Sequence, residues 1–582
     1  MSALITWGRR RCTPTAALLA LTLAPLLVAV LHAWRAGWVP IGDHGLIELR
    51  AADVLTADHP WLGTWTSASL SAGTDLNNPG PLLFDLLAPF VKLLGGSAGA
   101  VIGVAAINGA ACAVALFQGR LLAGRRGELL MAAACLSLSW SMGSEMLVDP
   151  WQPHVLLLPF LAFLAAAAAS AVGHVRSVAW MVGLASLLVQ SHLSFTYVVA
   201  LVGAAALLLC WRSVRLARDA PGGQPPWRRG AVVAGAVALL CWVQPVYEQL
   251  FGPGEGNLSR LAGASSSSSD TIGAGLGVRL VAHIVAIPPW FLRPSFQDSI
   301  PITPRSEDGL VHVAAWPPLA LSFVALAAVL AVALWCVLLL RRAGDRALAH
   351  LLLVVVVAVI GALGTMLVMP LGPLGLAPHQ MRWLWPISAL LWWSLAAAAA
   401  RLAPAGWWVS RFRARVAMGA IVVLVIINLP AHLTDGGPAT FRQYRPVISS
   451  MIDQLEQVQL AEPAQFDTAN LRFAEPFSGP VLFVLLDNGQ PLTVVDEGFV
   501  RQLGEGRRAS GEERWIVRVL ERDAALDIDP AAQVLAFDDG LDAAQREEID
   551  TLQASGEDPQ RLEALMALRR SLMVAVVLMP LG

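Results

Sequence analysis

Lysine is almost absent from this chain: of 40 basic residues in 582, only Lys92 is not arginine. Charged residues of both signs make up 14% of the chain, whereas 56% of it is hydrophobic. A soluble globular protein carries about 25% charged residues, and a disordered chain is poor in apolar ones. Both classes are therefore excluded. With a net charge of −2, the chain offers no overall basic surface, and we expect no nucleic-acid partner.

Cysteine is also scarce, and its distribution is informative. All six cysteines lie in apolar runs or in segments predicted below to face the cytoplasm, at positions 12, 112, 135, 210, 241 and 336. We therefore expect no disulfide framework on the outer side.

What the sequence has instead is a series of long apolar runs. A helix needs about 20 apolar residues to cross the ~30 Å hydrocarbon layer. Eleven runs approach or reach this length: 15–34, 97–118, 127–143, 153–172, 177–191, 195–211, 231–249, 314–340, 348–369, 384–400 and 415–431. The predicted fold class is mainly α, a polytopic membrane bundle of about eleven transmembrane helices over residues 1–431, with the lipid bilayer as its first partner.

The arginines give the bundle a predicted orientation. Of the 27 basic residues in 1–431, 19 fall in alternate loops, where only three carboxylates join them. By the positive-inside bias those loops are cytoplasmic. The N-terminus is then predicted to lie on the cytoplasmic side of a bacterial plasma membrane, and the part after residue 431 to be extracytoplasmic. The other 14 carboxylates of 1–431 face outward, which indicates outer-face chemistry.

Two outer loops are long, at 35–96 and 250–313. In the first, Leu82–Leu94 is apolar but too short to span and suits a helix lying at the membrane interface. In the fourth outer loop, 250–313, Ser265–Ser269 reads as a flexible segment, and Pro288–Phe291 suits a dip into the membrane surface.

Residues 432–582 differ in composition from the rest. They hold 25 acidic and 13 basic residues, a net charge of −12, against +10 for residues 1–431. Helix-like stretches (444–460, 543–554, 560–570) mix with strand-like ones (492–495, 514–520, 533–537). This pattern predicts a small extracytoplasmic α/β domain.

The first candidate site is GDHGLIELR, residues 42–50, just outside the first span. Asp43 is placed to act as a general base or to bind a divalent cation; the alternative is that it caps the following helix. Glu48 and Arg50 belong to the same stretch.

The second candidate is DPWQPH, residues 149–154, where Asp149 and His154 stand at the mouth of the fourth span. They would position a substrate or, alternatively, bind Mg²⁺ or Mn²⁺. The alternative for this motif is a helix start, with Pro153 early in the helix and Trp151 as an interfacial anchor.

Two further polar motifs interrupt apolar sequence. Gln190 and His192 form a patch at membrane depth, where polar groups need a protein partner or a cavity. His379 and Arg382 precede the tenth span, and the Arg382 guanidinium suits a phosphate; the alternative is an arginine that snorkels within an aromatic belt.

Together these motifs resemble the GT-C superfamily of multi-span glycosyltransferases, which use polyprenyl-phosphate sugars. The likeness is strongest to bacterial arabinosyl- and mannosyltransferases, and the 43–50 stretch resembles the acid-x-Gly-Leu-Ile-x-x-Arg opening of some of them. The chain departs from that pattern at His44, where a second acid often stands, and this argues against a paired-carboxylate metal site.

The resemblance implies transfer of a sugar from a polyprenyl-monophosphate donor to an envelope glycan, glycolipid or protein on the outer face. Asp43 would be the catalytic base, and Arg382 and Arg50 would bind the donor phosphate. The remaining candidates would position substrates: Glu48, Asp149, His154, Gln190, His192 and His379. We further expect Asp43 to face Asp149, His192 and Arg382 in one site. The alternative is a transporter or flippase of a lipid-linked sugar, which usually shows inverted repeats; we find none.

Overall fold

The computed structural model describes residues 14–218, 227–264, 271–286, 317–371, 375–403, 410–435, 439–473 and 475–581. The segments Ser265–Ser269 and Pro288–Phe291, for which we made predictions, lie outside these residues. The helices of the first 431 residues are α1 (Pro14–Arg35), α2 (Asp43–Asp53), α3 (Ala68–Ala72), α4 (Leu82–Leu94), α5 (Gly96–Met146), α6 (Gln152–Val155), α7 (Leu157–Ala171), α8 (Val175–Ser191), α9 (Thr196–Arg218), α10 (Trp227–Phe251), α11 (Asn257–Ala264), α12 (Gly273–Val281), α13 (Leu319–Arg342), α14 (Arg346–Val368), α15 (Leu384–Leu402) and α16 (Ser410–Ala431).

The predicted fold class is confirmed, because every predicted span coincides with a helix. Seven helices of the described chain are long and apolar enough to cross a membrane, and α5 is one of them. It covers two predicted spans, since it folds back at Ala123 and Gly124; Gly124 has φ +60°, a backbone angle that glycine adopts without strain. The chain is a multi-pass membrane protein.

The bundle is arranged around α7, every residue of which is buried. Helices α5, α8, α9, α14 and α15 all pack against it. Its sequence, rich in alanine, lets neighbouring helices approach closely. The short helix α6, with His154, lies directly before α7, so the candidate site sits at one end of the central helix.

The C-terminal part is a small α/β domain, as predicted. Its elements are α17 (Arg445–Leu455), β1 (Ala464–Phe466), α18 (Ser478–Asp487), β2 (Leu492–Thr493), α19 (Glu497–Leu503), β3 (Trp515–Glu521), β4 (Gln533–Asp538), α20 (Ala543–Ser555), α21 (Pro559–Leu572) and β5 (Val574–Pro580). The sheet order is β2-β1-β3-β5-β4. Strand β1 runs parallel to β2 and β3, and β5 runs antiparallel to β3 and β4.

This domain is built onto the first outer loop. Its hydrophobic core includes Ile41, Leu46 and Leu49, from α2 and the residue pair before it. Helix α2 packs against both α18 and α4. Helix α4 forms where the interfacial helix was predicted and buries Leu83, Leu87 and Val91. Consequently α2 lies between the membrane bundle and the C-terminal domain.

Candidate active site at the start of helix α2

Asp43 lies in the first turn of α2 and does not cap it. The N-cap residue is Gly42, with φ 57° and no side-chain capping hydrogen bond. The Asp43 carboxylate instead accepts a hydrogen bond at Oδ2 from Trp151 Nε1, at 3.1 Å. The capping alternative is therefore wrong, and the carboxylate is directed towards the 149–154 motif.

Asp149 connects three groups of the site. Its Oδ1 accepts from the backbone N–H of Trp151 at 2.8 Å and lies 2.9 Å from His44 Nε2. Its Oδ2 lies 2.6 Å from His154 Nδ1. Burial alone would raise the pKa of Asp149, but His44 and His154 outweigh it and hold that pKa well below its usual value. Asp149 is therefore an ionised anchor for two imidazoles.

The hydrogen-bond network assigns the tautomers of both histidines. Arg382 Nη1 contacts His154 Nε2, and because a guanidinium can only donate, Nε2 accepts and Nδ1 carries the proton. His44 Nδ1 accepts from the backbone N–H of Ile41 at 3.2 Å, so its Nε2 carries the proton and donates to Asp149. Both rings donate to Asp149 in this arrangement.

Arg382 is a buried cation without a carboxylate partner. It is 5% exposed, and no acid of the described chain lies within ion-pair distance of it. Its Nε is also buried without a hydrogen-bond partner among those residues. Burial lowers the pKa of Arg382 to about 10, partly offset by Asp149, so it stays charged at neutral pH. A buried unpaired charge is expensive, and the site is thus suited to an anion.

His379 and His192 complete the cluster. The His379 ring lies 4.9 Å from the Trp151 ring, centroid to centroid. Burial, with Arg382, His192 and His154 nearby, lowers the pKa of His379 to about 3. It is therefore a neutral imidazole at physiological pH. His192 Nδ1 is 2.7 Å from Ser194 Oγ.

Burial shifts the pKa of Asp43 in the opposite direction from that of His379. It raises the pKa of this carboxyl group; His44 and the Trp151 hydrogen bond lower it, and Asp149 raises it further. A raised pKa makes a carboxylate a stronger base. Asp43, Asp149, His154, His379 and Arg382 thus form one cluster around Trp151, with His192 beside His379.

Arg50 does not belong to this cluster. It is 1% exposed and contacts Asp53. It also donates to the backbone oxygens of Leu503 at 2.8 Å and Asp58 at 2.9 Å. Arg507 then makes two hydrogen bonds of 2.7 Å with Asp53. Arg50 is therefore occupied by an ion-pair cluster at the far end of α2.

Glu48 and Gln190 also lie outside the cluster. Glu48 is fully buried, and neither carboxylate oxygen has a hydrogen-bond partner among the residues described. Burial, together with Asp487, raises the pKa of Glu48 well above its usual value. Gln190 donates to the backbone oxygen of Cys241 at 2.6 Å and packs against Gly80. It joins the first outer loop to α8 and α10.

The arrangement does not fit the divalent cation that Asp149 and His154 were considered for. Asp149 Oδ2 and His154 Nδ1 are hydrogen-bonded to each other, and His154 Nε2 faces the positively charged Arg382. Within the described ranges, no group of three or more His, Cys, Asp or Glu side chains is placed to hold a metal ion.

Two residues of the cluster were not predicted as site residues. His44 was seen only as a departure from a family pattern, and Trp151 as an interfacial anchor. Their signal was position: each is close in sequence to a predicted acid. Their partners, Asp149 for His44 and Asp43 for Trp151, lie more than 100 residues away, so the sequence could not identify them.

No family model and no curated protein matches the chain. Among solved structures, it is similar to ArnT from Cupriavidus metallidurans bound to undecaprenyl phosphate, with 14% identity over 97% of this chain and 98% of that one, at a TM-score of 0.44. It is also similar to the Archaeoglobus fulgidus oligosaccharyltransferase in complex with Zn and sulfate, with 11% identity over 86% and 67% of the chains, at a TM-score of 0.38. What this site does must therefore follow from its own residues.

Proposed function

We propose that this protein is a membrane glycosyltransferase. It transfers one sugar, a hexose or a pentose, from a polyprenyl-monophosphate donor to a glycan, glycolipid or protein of the cell envelope, on the outer face of the plasma membrane. The observation that carries the proposal is the pairing of a buried, unpaired guanidinium, Arg382, with a carboxylate of raised pKa, Asp43, across one hydrogen-bonded cluster.

Asp43 has the features of a general base. Its Oδ2 is held by Trp151, whereas Oδ1 accepts no hydrogen bond from the described parts of the chain. Oδ1 would take the proton of the acceptor hydroxyl as that oxygen bonds to the anomeric carbon of the donor. The bond from this carbon to the phosphate oxygen breaks, and its electron pair leaves with the polyprenyl phosphate.

Arg382 is suited to the phosphate of the donor. Negative charge grows on the leaving phosphate in the transition state, and a preorganised cation in a dry site stabilises it. Its Nη1 is fixed by His154, and its buried Nε has no hydrogen-bond partner among the described residues. His379, as a neutral imidazole, donates to the same phosphate without adding charge.

The remaining groups keep these two in place. Asp149 holds His154, which contacts Arg382, and it also holds His44, the neighbour of Asp43. His192 borders the phosphate side through His379. Glu48, Gln190 and Arg50 would act only indirectly, by holding α2 and the first outer loop.

The outer-face location is supported by charge distribution. Asp43, Asp149 and Arg382 lie in segments of the predicted outer face. Arg120 and Arg125 instead flank the fold-back of α5, and Arg342, Arg346 and Arg401 lie at helix ends predicted to face the cytoplasm. Nucleotide sugars are made in the cytoplasm, so an outer-face transferase needs a lipid-linked donor.

A donor screen tests the proposal. Purified protein is incubated with polyprenyl-phosphate arabinose, mannose, glucose and galactose and a mixed envelope-glycan acceptor, and the products are analysed by mass spectrometry. We expect transfer from one donor, and Asp43→Asn should lower its rate by about 10²–10⁴-fold, the usual contribution of a general base.

Asp75→Asn is a matched control. Asp75 is also half-buried in the first outer loop and also accepts from a tryptophan, with Trp65 Nε1 at 3.0 Å from its Oδ1. It should transfer at the wild-type rate. Failure of the wild type with every donor, combined with movement of a lipid-linked sugar across vesicles, would identify a transporter instead.

A further inference from the structure

Trp151 lies between the two halves of the proposed site. Its indole N–H donates to Asp43 Oδ2 at 3.1 Å. Its ring meets His154 edge-on, with centroids 5.0 Å apart, and is tilted against His379 at 4.9 Å. It therefore contacts the base on one side and two histidines of the phosphate side on the other.

The backbone of Trp151 is fixed independently of its ring. Its N–H donates to Asp149 Oδ1 at 2.8 Å, and its extended backbone (φ −60°, ψ 132°) precedes α6. Because α6 leads directly into the buried central helix α7, the indole extends from a rigid support. An interfacial anchor would instead direct its N–H towards lipid headgroups or water.

We propose that Trp151 is the positioning residue of this transferase: its indole N–H fixes one oxygen of Asp43 so that the other faces the acceptor hydroxyl. This inference rests on the proposed function. It assigns to Trp151 a role that a phenyl ring of similar size cannot fill, since phenylalanine has no donor.

The hydrogen bond also affects when Asp43 is ionised. Trp151 and His44 favour the carboxylate form, whereas burial and Asp149 oppose it. Removing the donor should raise the pKa of Asp43. Transfer needs the ionised form, so its acidic limb should move to higher pH. A hydrogen bond to a charged group contributes about 1.5 kcal/mol, which corresponds to a shift of about one pH unit.

The test is Trp151→Phe, assayed across the acidic and neutral range with the donor found in the screen. We expect the acidic limb to move up by about one pH unit and kcat above the limb to fall about 10-fold because Asp43 is less well oriented. The donor KM should be unchanged. Trp65→Phe, which removes the matched indole–Asp75 hydrogen bond, should change none of these.

Two further variants make the outcome decisive. Trp151→His keeps a ring N–H donor and should return the limb towards its wild-type position. In the Asp43→Asn background, Trp151→Phe should have no additional effect on residual transfer, because no carboxylate base remains to be oriented. Should Trp151→Phe fail to fold, Trp151→Leu replaces it, since leucine also lacks a donor: its limb is expected about one pH unit above that of wild type.

An acidic limb that stays at its wild-type position in Trp151→Phe, while the wild type transfers sugar, overturns this inference alone. A wild type that transfers nothing from any donor overturns the proposed function instead. A limb that shifts equally in Trp65→Phe would also overturn the inference, because the effect would then be general to the first outer loop.

Discussion

The two ends of helix α2 carry charged residues of the same kinds, used differently. At its C-terminal end, Asp53 pairs with both Arg50 and Arg507, and the three side chains are nearly excluded from solvent. At its N-terminal end, the Asp43 carboxylate accepts only an indole N–H from the residues described. Charges paired with countercharges hold structure, whereas a carboxylate and a guanidinium that meet no countercharge among the described residues are available for a substrate. Charge satisfaction thus distinguishes the two ends better than residue type does.

The difference has a consequence for the C-terminal domain. Arg507 and Leu503 of that domain bind α2 at its far end, and Arg501 forms a buried ion pair with Glu248 of α10 at 3.1 Å. Gln502 Oε1 accepts from the backbone N–H of Trp65 at 2.9 Å. The domain therefore holds the first outer loop on the bundle, and it contributes to the frame of the proposed active site.

Breaking the ion-pair cluster at the C-terminal end of α2 should produce the largest loss of stability. Arg507→Ala leaves Asp53 with Arg50 alone and removes two hydrogen bonds to Asp53 and one to the backbone oxygen of Leu503. Losing one partner of a buried ion pair costs about 3–5 kcal/mol, so we expect a clearly lower unfolding temperature, followed by tryptophan fluorescence in detergent. Sugar transfer per folded molecule at low temperature should stay within a few-fold of wild type.

The adjacent Arg508→Ala is its control. Arg508 pairs with Glu497 and Glu505, but its side chain is 39% exposed, and exposed pairs contribute about 0–1 kcal/mol. Equal loss of stability in both variants would contradict the buried-cluster interpretation of α2.

Breaking the N-terminal cluster should instead reduce the rate. Arg382→Gln removes the cation but leaves no carboxylate unpaired among the residues described, so the fold should persist. Removing one transition-state donor typically lowers kcat by about 10²–10³-fold, and we expect that loss in the transfer assay. Arg401→Gln, at the other end of α15 and paired with Asp345, is the control and should transfer normally. If Arg382→Gln unfolds at a clearly lower temperature but keeps the wild-type kcat, the N-terminal cluster stabilises the fold and does not serve the reaction.

Most of the architecture could be predicted from the sequence, because the predictive signals are local. Apolar run length locates a span, and arginine in alternate loops gives its orientation, so all eleven spans coincide with helices. Asp43, Asp149 and Arg382 could be brought to one face because all three flank spans at the same predicted side. Strands β1 and β5 were missed: β1 is only three residues long, and β5 has a continuous apolar pattern that does not distinguish strand from helix.

Arg50 shows why the rest could not be predicted. Its sequence context matches a family motif, but its function depends on neighbours supplied by the fold. The residue that completes its cluster, Arg507, is 454 positions from Asp53, and no local pattern links them. The same holds for the capping alternative at Asp43: the sequence permits a cap, whereas in the fold Gly42 is the N-cap residue and Asp43 accepts from the distant Trp151.

A close contact between α18 of the C-terminal domain and the residue before α2 should affect stability less than the Arg507 ion pairs do. Gly479, in α18, passes so close to α2 that an added Cβ would lie 2.1 Å from Gly42 O. Since that atom is backbone, the two helices would have to separate. Gly479→Ala should therefore cost about 1–3 kcal/mol, as overpacking does. It should also displace Asp43, which follows Gly42 directly. A displacement of about 1 Å at a catalytic group lowers rates by about 10²-fold, so transfer should fall more than stability suggests.

Gly203→Ala, in α9 with nothing within 4 Å of the added Cβ, should be neutral or slightly stabilising. A Gly479→Ala enzyme that unfolds earlier but transfers at the wild-type rate would show that the C-terminal domain supports the fold without positioning the base.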